Sequence, residues 1–265
     1  MFGRRRSSSD AGRHLLDYYE HRLKLWRRQL WPVFAISAIL GALGAIPFWL
    51  YAPHGQFYAG LWVGATEVVI FSTWDSPPEF IAKWKRGGDG EKKTAEILKR
   101  LEDNEWRSYH GRKAKYGDID HVAVGPAGVY LLDSKNLYGR LSVEEAGLTA
   151  TYGDFVRDSY AFPRLGGSLT REAINLKERI QTTTGVSCKW VQAIVVIWGD
   201  FPEAETEQDD VLYIAGERLE GWLRDRRGRL SEHDLRLVQA GFEAEVIVGA
   251  ADPLVPDASA VATRN

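Results

Sequence analysis

The apolar positions of this 265-residue chain follow two regimes. From Leu30 to Tyr51, and again from Phe57 to Trp74, apolar residues follow one another with little polar interruption. Beyond Asp75 they recur at strand or helix spacing. Leu30–Tyr51 carries no charge over 22 positions, enough to cross the roughly 30 Å hydrocarbon core of a bilayer at about 1.5 Å per residue. Ala52–Gln56, with Pro53 and Gly55, links it to a second and weaker run whose only charge is Glu67. The pair predicts a transmembrane helical hairpin, 30–51 and 57–74. Trp31, Trp49, Tyr51, Tyr58 and Trp74 then fall near its ends, where amphipathic rings favour the membrane interface. A buried soluble helical pair is the competing reading. Gly60 with Gly64, and Gly41 with Ala45, are spaced to let helices approach closely. Glu67 reads as a structural acid, protonated or hydrogen-bonded to the helix bearing Ser37, rather than as part of a transport path.

Ahead of the hairpin, residues 1–29 open on Arg4-Arg5-Arg6 and Ser7-Ser8-Ser9, expected to be disordered. A helical pattern follows from Asp10, which with Ser9 is a candidate cap. Leu15, Leu16, Tyr19, Leu23, Trp26 and Leu30 share one broad face, and Arg22, Lys24, Arg27 and Arg28 populate the rest. Such a basic amphipathic segment suits an anionic membrane surface; packing on a soluble domain is the alternative.

Residues 75–88 read as a linker and 89–250 as a domain. Periodicity predicts a helix at Glu91–Leu101, a strand at Trp106–His110, and a hairpin whose strands flank Gly125–Gly128. Further strands are expected at Gly139–Val143, Leu148–Tyr152, Trp190–Trp198 and Val211–Ile214. Helices are expected at Ser168–Ile180, Glu217–Arg226 and Glu232–Phe242, the last capped by Ser231. Residues 251–265 are expected to be a disordered tail. The fold class is α/β (α+β), a mixed sheet flanked by helices, with an N-terminal transmembrane hairpin.

Charge refines this picture. The net charge of -2 divides into +5 over residues 1–31, -1 over 32–74 and -6 beyond. Arg27-Arg28 and Lys83, Lys85 and Arg86 flank the two apolar runs, and the link between them has no Lys or Arg. The positive-inside rule therefore predicts two spans in a cell membrane with both termini cytoplasmic. The acidic soluble part argues against a broad non-specific nucleic-acid surface but leaves room for a local basic groove. A single cysteine, Cys188, excludes an intrachain disulfide and a cysteine zinc site, and fits a reducing compartment. It reads as an inert small residue.

Candidate chemistry gathers in the hairpin. With the turn at Gly125–Gly128, Val124 faces Val129, Val122 faces Leu131 and Asp120 faces Asp133. Like charges directly opposed are destabilising, and strand alternation puts Lys135 on the face of Asp133. A divalent cation between the carboxylates would turn repulsion into coordination. Asp118 shares the Asp120 face and lies opposite Lys135, as an alternative metal acid or an ion-pair partner. Glu91 is either a first-turn acid favoured by the helix dipole or an inward-pointing third acid. His121 points to the opposite face and reads as a satisfied structural histidine. Carboxylates with backbone carbonyl oxygen and waters suit Mg²⁺. A lysine beside a metal-bound water orients it and stabilises phosphate charge. This chemistry is hydrolytic phosphodiester cleavage.

Gly88-Asp89-Gly90-Glu91, then Asp118-Ile119-Asp120-His121-Val122-Ala123-Val124-Gly125-Pro126-Ala127-Gly128-Val129, then Asp133-Ser134-Lys135-Asn136 with Gly139, resemble the NERD (nuclease-related) domain family. That family is assigned to the PD-(D/E)XK nuclease superfamily. The resemblance spans roughly Arg86–Asp200 and implies a restriction-endonuclease-like core. It implies Glu91, Asp120, Asp133 and Lys135 as catalytic residues, with Asp120, Asp133 and Glu91 holding Mg²⁺ or Mn²⁺, and it selects Asp120 over Asp118. Two departures stand out: Asp133 occupies a position where Glu is usual, and Arg171 and Glu172 lie where a Gln is often expected. The expectation is a membrane-anchored, metal-dependent nuclease acting at the cytoplasmic face. Its partners would be DNA, the lipid bilayer and further copies joined through the hairpin. Lys92, Lys93, Arg112, Lys113, Lys115, Arg171 and Lys177 are candidate phosphate contacts. The alternative is a non-catalytic nucleic-acid- or protein-binding membrane scaffold that keeps the nuclease fold.

Overall fold

A computed structural model describes residues 11–102, 105–113, 118–152, 159–228, 230–245, 247 and 249–250. The expected disordered start, the Ser9 or Asp10 cap, Lys115 and the 251–265 tail lie outside these residues. The chain divides into two compact units, residues 16–85 and residues 1–15 with 86–265.

Helix α1 runs from Arg13 to Tyr51 without a break, through Pro32 and Pro47. The expected boundary between basic and apolar segments is therefore a change of surface character, not of backbone. Helix α2 spans Gly55–Asp75. Among the described residues one helix, α1, is long and apolar enough to cross a membrane. Within the first unit the helices touch at small residues. A Cβ added at Gly41 would lie 3.0 Å from Thr66 Oγ1, and one at Gly44 2.7 Å from Trp62 Nε1. Gly60 and Gly64 face open space instead, so the contact uses Gly41 but not the Gly60–Gly64 pair. Glu67 is exposed.

Helix α3 runs Glu79–Leu101, so residues expected to form a linker and a glycine-rich lead-in are helical. Their low helix propensity is overridden by tertiary packing. Strands β1 (Arg107–Lys113), β2 (Asp118–Gly125) and β3 (Gly128–Glu144) form an antiparallel meander. The β2–β3 register pairs Val124 with Val129 and Val122 with Leu131, as the alternation predicts. Strand β3 is one long element where two shorter ones were expected. It shifts register between Asn136 and Arg140. Gly139 allows this: its φ is +87°, and a Cβ there would lie 2.4 Å from the Thr151 carbonyl oxygen.

Strands β4 (Gly147–Thr151) and β5 (Ser159–Phe162) extend the far half of β3. Helix α4 (Leu165–Thr184) then crosses to β6 (Val191–Asp200), which pairs parallel with β3. Strands β7 (Glu205–Gln208) and β8 (Val211–Ala215) follow, with β8 parallel to β6. Helices α5 (Gly216–Arg224) and α6 (Glu232–Glu243) and the two-residue β9 (Gly249–Ala250) complete the unit. Ser231 caps α6 as expected, its Oγ accepting from the Asp234 N–H at 3.1 Å. Among the described residues nine strands form one mixed sheet with the central order β7-β8-β6-β3-β2-β1-β9.

Helices cover both sheet faces. Ile97, Leu98 and Leu101 of α3, with Leu219 and Leu223 of α5, pack on Leu132, Ile194 and Val196. Ala173, Leu176 and Ile180 of α4, with Val238 and Phe242 of α6, pack on Val122, Leu131 and Val195. Coverage on both sides explains why β6 is a continuous apolar run rather than an alternating one. The architecture is mixed α/β, a sheet between helical layers.

Candidate active site

The β2–β3 hairpin pairs regularly from its turn as far as His121 opposite Leu132. One step on, the side chain of Asp120 takes over: its Oδ2 accepts the Ser134 backbone N–H at 2.8 Å. Asp133 and Lys135 follow on β3, held against Val195 and Ile197 of β6. Lys135 Nζ donates to Asp133 Oδ1 at 2.9 Å and sits 2.7 Å from Oδ2. Asp133 Oδ2 is buried and accepts no hydrogen bond beyond that ion pair. The two side chains stay partly open to solvent, at 21% for Asp133 and 26% for Lys135.

Glu91 reaches the same place from α3 and is buried, 5% exposed. Burial raises its carboxyl pKa well above the usual range, and the Asp120 charge raises it further. The Gly12 N–H and Lys135 act against this, and Asp133 adds to the rise. For Lys135, burial alone would lower the ammonium pKa. The carboxylates of Asp133, Asp120 and Glu91 more than offset it, so the group is held above its ordinary value and stays charged. The four residues singled out in the sequence thus lie within electrostatic reach of one another. Asp118 is exposed and lies opposite Lys113 across the β1–β2 pair.

Neighbouring residues fix α3 on β3. Thr94 Oγ1 donates to the Gly90 carbonyl at 3.2 Å and accepts from Ser134 Oγ at 2.8 Å and Trp198 Nε1 at 2.9 Å. A hydroxyl has one donor and two acceptor sites, so Thr94 is fully used. Asn136 Nδ2 donates to the Arg86 carbonyl at 3.0 Å. A Cβ on Gly90 would come within 2.8 Å of the Asn136 Cβ, so glycine there permits the approach that brings Glu91 in. Sequence reasoning missed Thr94; its one signal was a polar residue one helical turn after Glu91, on the inward face.

His121 is fully buried and its Nδ1 lies 2.8 Å from Nδ1 of His110. It is a structural histidine, as its strand position implied; the partner His110 went unread. Burial lowers both pKa values, to about 4 for His110 and well below the ordinary value for His121. Ser108 Oγ donates to Glu102 Oε1 at 2.5 Å and lies 3.2 Å from His110 Nε2. With both rings neutral, His110 therefore donates from Nε2 to Ser108, and His121 donates from Nδ1 to His110. That tautomer leaves His121 Nε2 unprotonated, which matches its lack of a hydrogen-bond partner.

Several candidate phosphate contacts are corrected or bounded. Arg112 is buried and ion-paired to Glu245 at 2.8 Å, so it belongs to the β1–β9 edge and not to a groove. The side chain of Lys113 and all of Lys115 lie outside the described residues. Lys92, Lys93 and Arg171 are exposed. Glu172, at the position where a Gln was expected, is buried with an unpartnered Oε2. Cys188 is buried, its Sγ donating to the Trp190 carbonyl, and burial pushes the thiol pKa up, which fits an inert residue.

Residues 86–198 match the family model described as the nuclease-related domain, NERD. Over this segment the chain is similar to the nuclease-related domain family. The match covers α3 from Arg86, the β1–β3 meander, α4 and most of β6, and so contains all four candidate residues. Comparison with curated proteins and with solved structures gives no match. A nuclease-related function follows for the domain at that level. Among the described residues no group of three or more His, Cys, Asp or Glu side chains is arranged as a ready metal site. The donor chemistry nevertheless fits a hard cation. Asp120 and Asp133 raise the proton affinity of the buried Glu91, and the buried Asp133 Oδ2 is met only by the Lys135 ammonium.

Proposed function

We propose that the chain is a membrane-anchored, metal-dependent nuclease that hydrolyses phosphodiester bonds, in DNA, at the cytoplasmic face. The observation that carries this reading is the convergence of Glu91, Asp120 and Asp133 on Lys135 inside the family-matched segment. Asp120, Asp133 and Glu91 would hold Mg²⁺ or Mn²⁺, which when bound supplies Lewis-acid stabilisation of phosphate charge and a more acidic water. Lys135, held charged, would orient the attacking water and meet a non-bridging phosphate oxygen. Ser134 would fix Asp120 through its N–H, and the Gly12 N–H would steady Glu91. The anchor in this reading is α1 with α2 as a second span, both termini cytoplasmic, with further copies joining through the helices.

The test is the full-length protein in detergent with end-labelled duplex DNA, single-stranded DNA and RNA, titrated with Mg²⁺ and Mn²⁺. Cleavage that needs metal and disappears in both Asp133→Ala and Lys135→Ala supports the reading. Equal cleavage by the variants would mark contamination and end it. One observation favours the second reading, a binding scaffold: Lys135 already occupies both oxygens of Asp133. Metal-independent binding of nucleic acid without cleavage would select it.

A further inference from the structure

We propose that the first unit holds a phospholipid head-group site between α1 and α2. The inference rests on the reading that α1 enters a bilayer. Lys24, Arg27, Arg28 and Trp31 recur at helical spacing on one face of α1 and, with Pro32 and Trp74, line an open cleft of about 510 Å³. The cleft lies where the charged part of α1 gives way to its uncharged run beginning at Leu30. That is the level of the polar head groups if the run lies in hydrocarbon.

The cations are not equivalent. Lys24 and Arg28 are exposed, whereas Arg27 is drawn inward, its guanidinium carbon 5.0 Å from the Trp74 ring centre. Trp74 in turn packs on Phe34, ring centres 5.7 Å apart. Arg27 Nε is buried and has no hydrogen-bond partner. A buried charged donor left without an acceptor is costly, and a phosphate oxygen entering the cleft would satisfy it. Arg presents planar paired donors to phosphate, and Lys24 and Arg28 add charge. The exposed Trp31 and the Pro32 ring give the cleft an apolar wall beside that charge. A nucleic acid or an acidic peptide would gain little from such a wall, while the glycerol and first acyl carbons of a lipid would lie on it. The occupant is therefore an anionic phospholipid, held by its phosphate.

The experiment uses the full-length chain reconstituted into nanodiscs of phosphatidylcholine alone or mixed with phosphatidylglycerol. Lipid retained after gentle release into detergent is counted by native mass spectrometry. The expected result is retained phosphatidylglycerol, falling about fivefold in Arg27→Gln, in keeping with the share one basic residue contributes beside anionic lipid. Arg22→Gln, on the same helix but outside the cleft, should retain lipid as the wild type does. Inorganic phosphate added to the detergent-solubilised protein should displace little of it, because the apolar wall contributes only to lipid. Equal retention by Arg27→Gln and wild type, or no preference for phosphatidylglycerol, overturns the site. Displacement by inorganic phosphate alone overturns the lipid assignment. A chain that enters neither nanodisc overturns the membrane reading on which the site rests.

Discussion

Lys135 Nζ lies 2.9 Å from Oδ1 and 2.7 Å from Oδ2 of Asp133, two positions before it on the same strand face. The lysine is thus both neighbour and competitor of any cation that Asp133 binds. Removing its charge leaves three mutually repelling carboxylates, which favours metal. Lys135→Ala should bind Mg²⁺ at least as tightly as wild type by calorimetry, yet lose cleavage by a factor of about 10² or more, as when one transition-state donor is removed. Loss of metal affinity together with activity would contradict this division of labour.

Thr94 joins α3, β3 and β6 through three hydrogen bonds. Thr94→Val keeps the shape but removes the acceptor of Ser134 Oγ and of the Trp198 indole N–H. Such orphaned buried donors cost about 1–3 kcal/mol. Urea denaturation of the full chain should show a midpoint lowered to match, with an unchanged slope. An unaltered midpoint would mean that water replaces the hydroxyl.

Gly90→Ala tests close approach. The added methyl would meet the Asn136 Cβ at 2.8 Å, so α3 must move away from β3 at a cost of about 1–3 kcal/mol. Because Glu91 adjoins it, cleavage should fall more than stability alone explains. Activity measured well below the variant's melting temperature separates the two effects. Full activity there would show that Glu91 does not need this helix position.

The buried His110–His121 pair predicts acid sensitivity. His110 has a folded pKa of about 4 because burial disfavours the imidazolium; Glu102 opposes this and Arg112 reinforces it. The unfolded value is near 6.5. Below that value the unfolded chain binds the proton more tightly, so stability is lost as pH falls from about 6.5 toward 4. The loss attributable to His110 is at most about 3 kcal/mol. Chemical denaturation across that window should show the decline, and His110→Asn should reduce it, leaving the part due to the buried His121. A level profile in the wild type would refute the neutral-pair assignment.

The parts of the fold that were legible in the sequence rest on local chemistry. Val122, Val124, Val129 and Leu131 alternate around Gly125-Pro126-Ala127-Gly128, and the register follows from that. The apolar run of β6 and the Ser231 cap were equally readable. Strands β5 and β7 were not: Glu205–Gln208 has no apolar run, and it is a strand because β8 offers it an edge. Helix α3 extends back through Gly87 and Gly88 because tertiary contacts there outweigh propensity. Thr94 was illegible for a plainer reason. Its partners lie 40 and 104 positions away, and nothing local marks a hydroxyl as a junction. Strand alternation marked Asp120, Asp133 and Lys135 as sharing a face, whereas Glu91 and the choice of Asp120 over Asp118 rested on the resemblance to the nuclease-related family. How Lys135 divides its charge among them needed three dimensions.

The most direct test of the central claim compares wild type with Asp120→Asn, full-length in detergent, on labelled DNA across a Mg²⁺ titration. The carboxamide introduced by this substitution can still accept the Ser134 N–H through its carbonyl oxygen, so the strand end is kept while the charge is lost. The expected result is Mg²⁺-dependent cleavage by wild type, none by the variant at any Mg²⁺ concentration, and similar melting temperatures without metal. Cleavage by Asp120→Asn equal to wild type, or wild-type cleavage indifferent to metal, would contradict it.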